Sequence, residues 1–276
     1  MLNLTTSYLT KNPCYKSGRQ ITVKGLMLHS VGCPQPNPQV FINNWNKESY
    51  DSACVHGFIG EDEAFLTLPC MEKPGKAMRG WHGGGKSNNT HIGIEMCEPK
   101  YIKYTRGATF ACSDKAAAVA YVKKVTQNAV ELFAMLCAYH GLDPLVDIVS
   151  HAEGHALGIA SNHGDPDHLW AQLDMDYNMD SFRREVAAYM KKEQEDDADM
   201  ANIDEIRSKI TACGDTGDNP SKWAEDATEY CKRKGIFNGN GQGDYGWQQP
   251  ITREAVAQVI YNLLDTAGML EKLPDV

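Results

Sequence analysis

The sequence predicts an α/β fold, with a mixed central sheet flanked by helices, followed by a small all-α module. Three observations lead to this prediction. Short apolar runs of strand length occur early in the chain, a long amphipathic segment separates two of them, and only helical periodicity follows residue 195. With 276 residues, the chain is long for one average domain and comfortable for two.

Three apolar runs have the length and composition of β-strands. They are KGLMLHSVG at 24–32, HIGIEMCE at 91–98 and PLVDIVSH at 144–151. Successive side chains of a strand point to opposite faces, so Ile92, Ile94 and Met96 share one face of the second strand. We expect that face to be buried.

A long helix is predicted between the second and third strands, opening near Ser113 and ending at Gly141. Its apolar residues recur at helical spacing and define the side that we expect to be buried: Val119, Val122, Ala129, Leu132, Phe133 and Leu136. A helix of this length between two strands is typical of an α/β layer fold.

The chain is predicted to divide near residue 195. All nine histidines lie between His29 and His168, and the run MKKEQEDDADMANIDE after residue 189 loses its apolar content. We therefore expect a first domain over 1–194, a charged linker over 195–202 and a small helical module over 203–276.

Within this module, apolar residues recur at helical spacing three times. The first set is Ile203, Ile206, Ile210 and Cys213; the second is Trp223, Ala227, Tyr230 and Cys231; the third is Val256, Val259, Ile260, Leu263 and Leu264. The turn-rich stretch NGNGQGDYG separates the second helix from the third, which is entered through Pro250 and Thr252.

Composition excludes several classes of protein. The net charge of −9 argues against a nucleic-acid binder, and the longest apolar runs are too short for a membrane-spanning helix. The first twenty residues have neither a basic head nor an apolar core, so we expect no secretory signal. Nine cysteines without a CxxC pair predict reduced thiols in a protein made in the cytoplasm.

Histidines at strand ends point to a metal site. Two predicted strands end in His29 and His151, and a third carries Glu95. Either histidine alone is more often a cap on a core strand, but the pair followed by HGDPDH favours a zinc centre. Catalytic zinc takes three nitrogen or oxygen ligands and leaves one position for water. We expect His29, His151 and Asp165 as ligands.

Two further residues have the chemistry that zinc-assisted hydrolysis requires. Glu95 would accept the proton of the attacking water, and His163, two residues before Asp165, would stabilise the developing oxyanion.

Alternative ligand sets remain open. His155 follows His151 by four residues, as in the HExxH zinc helix, although Glu153 is not directly after the first histidine and glycines 154 and 158 weaken a helix there.

The third ligand also has two alternatives, Asp167 and His168. Pro166 restricts the chain directly after Asp165 and mildly favours that earlier acid.

Four segments between residues 24 and 170 stand in a familiar order: GLMLHSVG, SACVHGFIGEDEAFLTLP, RGWHGGGKSNNTHIGIEMCEP and SHAEGHALGIASNHGDPDHLW. In this order they resemble the type-2 family of zinc-dependent N-acetylmuramoyl-L-alanine amidases, relatives of peptidoglycan recognition proteins and phage lytic amidases. The resemblance implies zinc on His29 and His151, and Glu95 as the catalytic acid. It also implies that His56, in a hairpin, and His82, near the cleft, line the substrate groove.

Trp81 and the glycines that follow His82 are expected to line the substrate groove, although a plain surface loop is an equally good interpretation. Two positions depart from the family pattern. His163 stands where members often carry lysine, and Val55 stands where some phage members have a catalytic tyrosine. With Val55 there, the proton transfer falls to Glu95. The segment 98–114 between strand and helix has no explanation in the sequence.

The resemblance implies hydrolysis of the peptidoglycan amide between the lactyl group of N-acetylmuramic acid and L-Ala. Without a secretory signal, a phage endolysin that waits in the cytoplasm is favoured over a secreted autolysin. Two other classes stay open: a protein that binds peptidoglycan without cleaving it, and a zinc endopeptidase acting on the stem peptide.

The tail KWAEDATEYCKRKGIFNGNGQGDYGWQQPITREAVAQVIYNLL resembles one S-layer homology motif, a family that binds secondary cell-wall polymers of Gram-positive bacteria. The resemblance implies that Trp223, Arg253 and Glu254 lie near such a site. These motifs usually come in threes, so a single one predicts either weak binding or a homo-oligomer that presents several sites.

Overall fold

The computed structural model describes residues 2–193, 195, 203, 220–239, 245–247, 251 and 253–270. The chain forms two compact units, Met1–Gln194 and Glu195–Val276. Apart from Glu195 and Ile203, the predicted linker and the first predicted helix of the module lie outside the described residues, as do Pro250, Thr252 and part of the turn-rich stretch.

Within residues 2–193, the first unit has ten strands. They are β1 Leu4–Thr6, β2 Gln20–Thr22, β3 Gly25–Ser30, β4 Gly57–Ile59, β5 Ala64–Leu66, β6 Lys76–Met78, β7 His91–Met96, β8 Ile102–Arg106, β9 Thr109–Cys112 and β10 Ile148–Ser150. Six of them form the central sheet in the order β1-β5-β4-β7-β3-β10. All neighbours in this sheet are parallel except β4 and β5, and the predicted mixed sheet is confirmed.

The helices of the first unit are α1 Pro13–Lys16, α2 Pro38–Trp45, α3 Lys115–His140, α4 His151–Ala156, α5 Asp167–Gln172 and α6, which covers 179–193. A 3-10 helix spans Lys86–Asn89, and β8 and β9 form a separate antiparallel hairpin. This hairpin occupies the segment that the sequence left unexplained.

The long predicted helix, opening near Ser113, is present as α3. Asp114, not Ser113, is the N-cap residue, because its side chain accepts a hydrogen bond from the backbone N–H of Ala117. The Ser113 hydroxyl instead donates to the carbonyl of Tyr101. At the other end, Gly141 adopts the left-handed conformation (φ 69°) that terminates helices.

The core lies between the sheet and α3, which packs against β4 and β7. Every residue of β3 is buried, and Ile92, Ile94 and Met96 of β7 are buried as their alternation predicts. The central strands are therefore fixed on both faces, and their carboxyl ends are rigid supports for polar side chains.

In the second unit, a 3-10 helix covers Lys222–Ala224, followed by α7 Glu225–Arg233 and α8 Arg253–Thr266. These correspond to the second and third predicted helices of the module. On α8, Val256, Ile260 and Leu263 of the predicted apolar side are exposed. Among the described residues, no helix combines the length and apolar character needed to cross a membrane.

Candidate metal centre

Strand register brings the candidate residues to one edge of the sheet. His29 of β3 pairs directly with Glu95 of β7, and Ser150 at the end of β10 pairs with Leu28. His151 follows Ser150 and begins α4. Because all three strands are parallel, His29, Glu95 and His151 lie at the carboxyl edge, where ligands bind in open α/β sheets.

Three side chains converge on one point at this edge. Nδ1 of His29 lies 3.0 Å from Nδ1 of His151 and 3.2 Å from Oδ2 of Asp165. Nδ1 of His151 lies 3.3 Å from Oδ1 of Asp165. These donor atoms lie within 4.8 Å of one another, a spacing that one metal ion can bridge.

The protonation states of the donors suit a cation. Burial lowers the pKa of His29, which favours its neutral imidazole. Burial alone would raise the pKa of Asp165, but the close approach of the His151 and His29 side chains outweighs burial and lowers that pKa. Neutral imidazole and ionised carboxylate are the forms that bind metals, so the donor set fits a divalent ion such as zinc.

The backbone around His151 is held by a capping box. The Ser150 side chain accepts from the backbone N–H of Glu153, and the Glu153 side chain accepts from the backbone N–H of Ser150. Arg183 of α6 donates to both carboxylate oxygens of Glu153, at 2.9 and 3.0 Å. This arrangement fixes the start of α4 and with it the position of His151.

Glu95 lies beside His29 on the neighbouring strand, and one of its carboxylate oxygens has no hydrogen-bond partner among the described residues. Its Oε2 is buried and makes no hydrogen bond within the described part of the chain. Burial, followed by the charge of Asp165, raises the pKa of Glu95 well above its usual value. A carboxyl group with raised pKa and a free oxygen is suited to accept a proton.

The cavity over these residues has a volume of about 470 Å³. Its lining consists of His29, Ser30, Val31, Gly32, His82, Glu95, Tyr104, Gly107, Ala108, His151, His163, Gly164, Asp165 and His168. Gly107 and Ala108 form the turn of the β8–β9 hairpin, so the segment that the sequence left open is a wall of this cavity.

His163 lies beside His151 and faces the cavity. Its Nδ1 is 3.2 Å from Nε2 of His151 and 3.1 Å from the hydroxyl oxygen of Ser161. These contacts occupy Nδ1, so Nε2 is the nitrogen of His163 that remains to donate a hydrogen bond to a substrate oxyanion.

The alternative ligands lie outside the group of donors. His155 is exposed, and its Nδ1 lies 3.4 Å from the carbonyl of Ala160. Nε2 of His168 lies 2.6 Å from the hydroxyl of Tyr104. Neither these histidines nor Asp167 belongs to the cluster formed by the three donors.

Of the three residues expected in the substrate groove, His56, Trp81 and His82, only His82 lines the cavity. His56 is 0% exposed, and the carbonyl of Met78 and the N–H of Gly93 engage its two ring nitrogens. It is therefore a core histidine, and the expectation that it lies in the groove is corrected. Trp81 is bridged to Cys54 by two backbone hydrogen bonds, packs against the core and does not line the cavity.

A hydrogen-bonded group that the sequence did not reveal supports the hairpin wall. The Tyr104 hydroxyl donates to Oε2 of Glu98 at 2.8 Å and contacts His168, while Oε1 of Glu98 accepts from the N–H of Gly32. Burial raises the pKa of Glu98 to about 7. Val55, at the position where some family members have a tyrosine, is fully buried and does not line the cavity. The tyrosine that lines it is Tyr104 of the hairpin.

A family model described as N-acetylmuramoyl-L-alanine amidase matches residues 18–168. Among solved structures, the chain is similar to a mutant endolysin from Bacillus subtilis, with 19% identity, a TM-score of 0.46, and 67% of this chain and 99% of that chain covered. It is also similar to the hydrolase AmiA of Staphylococcus aureus, with 20% identity, a TM-score of 0.47, and coverage of 71% and 85% respectively. No curated protein sequence matches the chain.

Proposed function

Because the chain belongs to the N-acetylmuramoyl-L-alanine amidase family, we propose that its first unit is a zinc-dependent enzyme that cleaves the amide between N-acetylmuramic acid and L-Ala of peptidoglycan. The observation that carries this proposal is the meeting of His29, His151 and Asp165 beside Glu95. A recognition protein without activity has no need of a carboxylate with an unpartnered oxygen next to three metal donors.

We assign each residue a separate task. His29, His151 and Asp165 would hold the metal, and bound zinc would acidify a water molecule and polarise the substrate carbonyl. Glu95 would accept a proton during attack and return it to the leaving amine, because this carboxyl group lines the cavity and its pKa is raised. His163 would donate from Nε2 to the oxygen on which negative charge develops.

The bond cleaved is tested by digesting purified Gram-positive cell walls and analysing the products by mass spectrometry. We expect whole stem peptides with a free L-Ala amine and intact glycan chains. Fragments cut inside the stem peptide would instead identify an endopeptidase. Activity lost in chelator and restored by added zinc would support the metal assignment; activity unaffected by complete metal removal would contradict it.

One variant distinguishes the proposed enzyme from a protein that binds peptidoglycan without cleaving it. Glu95→Gln keeps the shape of the side chain but cannot accept the proton, so we expect it to bind walls as the wild type does without releasing peptides. Equal peptide release by wild type and variant would contradict the role of Glu95. Wall binding by both proteins without release would favour a recognition protein.

For the second unit, we propose binding of a secondary cell-wall polymer. The side chain of Trp223 is 89% exposed, and Arg253 and Glu254 are exposed in the first turn of α8. An exposed tryptophan offers a flat apolar surface to a sugar ring, and arginine can bind an anionic group through two N–H donors.

Co-sedimentation with walls tests this role. Trp223→Ala and Arg253→Ala should weaken binding to intact walls but not to walls stripped of secondary polymers, whereas the control Tyr261→Ala, at another exposed aromatic residue, should bind as the wild type does. Light scattering on the full chain would show whether binding is multivalent through a homo-oligomer. Identical binding to intact and stripped walls would contradict the proposal.

We also propose that the chain acts as a phage-type endolysin, made in the host cytoplasm and acting on the wall after the membrane opens. The peptidoglycan substrate of its family supports action on the wall. Expression in a Gram-positive host should lyse cells only when the membrane is permeabilised. Lysis of intact cells from outside by spontaneously exported protein would favour an autolysin.

A further inference from the structure

The outer nitrogen of His29 has a defined partner. Nε2, on the opposite side of the ring from the Nδ1 that faces Asp165 and His151, lies 2.9 Å from Nδ1 of His82. A neutral imidazole that offers Nδ1 to a metal carries its hydrogen on Nε2. His29 therefore donates to His82, provided that Nδ1 of His82 is unprotonated.

The second nitrogen of His82 meets this condition. Its Nε2 lies 3.1 Å from the backbone carbonyl of His91. A carbonyl oxygen can only accept, so Nε2 of His82 bears the hydrogen and Nδ1 is the acceptor. The backbone carbonyl of His91 on β7 therefore determines the direction of both hydrogen bonds. Nδ1 of His29 keeps its lone pair, which points toward His151 and Asp165.

The surroundings of His82 are built for its ring. Oδ1 of the buried Asn88 accepts from the backbone N–H groups of His82 and Gly83, at 2.9 and 2.8 Å. A Cβ on Gly93 would lie 2.3 Å from Nδ1 of His82, so only glycine at this position of β7 leaves room for the imidazole.

The contacts of Nε2 of His151 determine its tautomer less strictly. Its Nε2 lies 3.1 Å from the hydroxyl of Ser161 and 3.2 Å from Nδ1 of His163. A hydroxyl can donate or accept, so these contacts do not determine the tautomer of His151 as the His91 carbonyl determines that of His29.

We propose that His82 is a positioning residue, which fixes the tautomer and ring orientation of His29 for metal binding through its hydrogen bond to the backbone of His91. This inference rests on the proposed metal centre but not on the bond that the enzyme cleaves. It also revises the expectation that His82 serves chiefly as a groove residue.

Zinc affinity of the full chain, measured by competition with a chromophoric chelator, tests the proposal. His82→Leu should weaken zinc binding by about 10- to 100-fold, as is common when the partner of a metal-binding histidine is removed. His82→Asn, whose Oδ1 can accept from His29, should stay within a few-fold of wild type. The matched control His155→Ala alters an exposed histidine outside the donor group and should bind zinc normally.

Unchanged zinc affinity in His82→Leu, with only KM raised, would overturn the proposal in favour of substrate contact. If that variant does not fold, nitrogen-15 NMR of the wild type gives the answer. We expect the hydrogen of His82 on Nε2, and a hydrogen on Nδ1 would overturn the proposal. Zinc-binding wild type that does not cleave peptidoglycan would refute the proposed function while leaving the role of His82 intact.

Discussion

The floor and the rim of the cavity are held by different kinds of interaction. On the floor, His29 and Glu95 are neighbours because β3 and β7 pair in register, and His82 is directed by a backbone carbonyl. The rim consists of the β8–β9 hairpin together with Glu98, His168 and Gln172, and side-chain hydrogen bonds hold it.

Gln172 shows how the rim depends on single side chains. Its amide accepts from the N–H of Phe110 at 3.0 Å and donates to the carbonyl of Ala108 at 2.7 Å, which clamps the hairpin onto α5. We therefore expect floor substitutions to abolish metal binding or chemistry, and rim substitutions to have graded effects on stability and substrate affinity.

The largest effect is expected from His29→Ala on the floor. One of three metal donors is lost from a rigid strand, and the neighbouring residues cannot replace it. Zinc content measured by mass spectrometry should fall to background, and release of stem peptides should cease. Stoichiometric zinc in this variant would remove the distinction between floor and rim.

Glu95→Gln should separate chemistry from metal binding on the same floor. Loss of a proton acceptor typically lowers the rate by about 10²- to 10⁴-fold, while the three donors remain in place. Parallel measurements of kcat on a soluble peptidoglycan fragment and of zinc content test this expectation. A variant that keeps more than about a tenth of wild-type kcat would contradict it.

On the rim, Glu98→Gln should change how stability depends on pH. Burial raises the pKa of Glu98 from 4.5 to about 7, so between these values the folded protein binds more protons at this group than the unfolded chain does. The contribution of Glu98 to the free energy of unfolding is therefore fully present below pH 4.5 and falls as pH rises through 7.

Glutamine resembles the protonated acid and has no such dependence. In urea titrations of metal-free protein, the stability of wild type relative to Glu98→Gln should decrease by up to about 3 kcal/mol from pH 4.5 to pH 7.5. Parallel pH profiles for the two proteins would show that Glu98 is ionised normally in the folded state.

The smallest effect is expected for Gln172→Leu, which releases the hairpin from α5. The two hydrogen bonds to the hairpin are lost at a partly exposed position, so the free energy of unfolding should fall by about 1 to 2 kcal/mol. KM for a soluble fragment should rise several-fold because the hairpin wall loosens, with zinc affinity unchanged. The control Gln127→Leu, at an exposed position of α3, should leave KM unchanged. Loss of zinc from Gln172→Leu would show that the rim and the floor are coupled.

Local patterns in the sequence predicted the secondary structure around the site well. The alternation of Ile92, Ile94 and Met96 predicted a strand with one buried face, and Gly141 predicted the end of α3. The predicted opening near Ser113 agrees with the start of α3, where Asp114 caps the helix and the Ser113 hydroxyl instead contacts Tyr101.

The roles of individual histidines were harder to predict. His56 and His82 both precede glycine, yet one is a core residue bonded to two backbone groups and the other contacts His29. Their partners come from different strands and loops, so no spacing along the chain distinguishes them. The same holds for the contacts of Tyr104 with His168 and of Gln172 with Phe110, which join residues far apart in sequence.

By itself, the sequence determined three strands of the central sheet, the long helix and the choice of His29, His151, Asp165 and Glu95 as candidates, because apolar periodicity and donor chemistry are local properties of residues. Only the tertiary structure decided which of these side chains meet, which histidine supports another, and that the hairpin closes the cavity. Strand order and distant hydrogen bonds set these relations, and neither leaves a pattern in neighbouring residues.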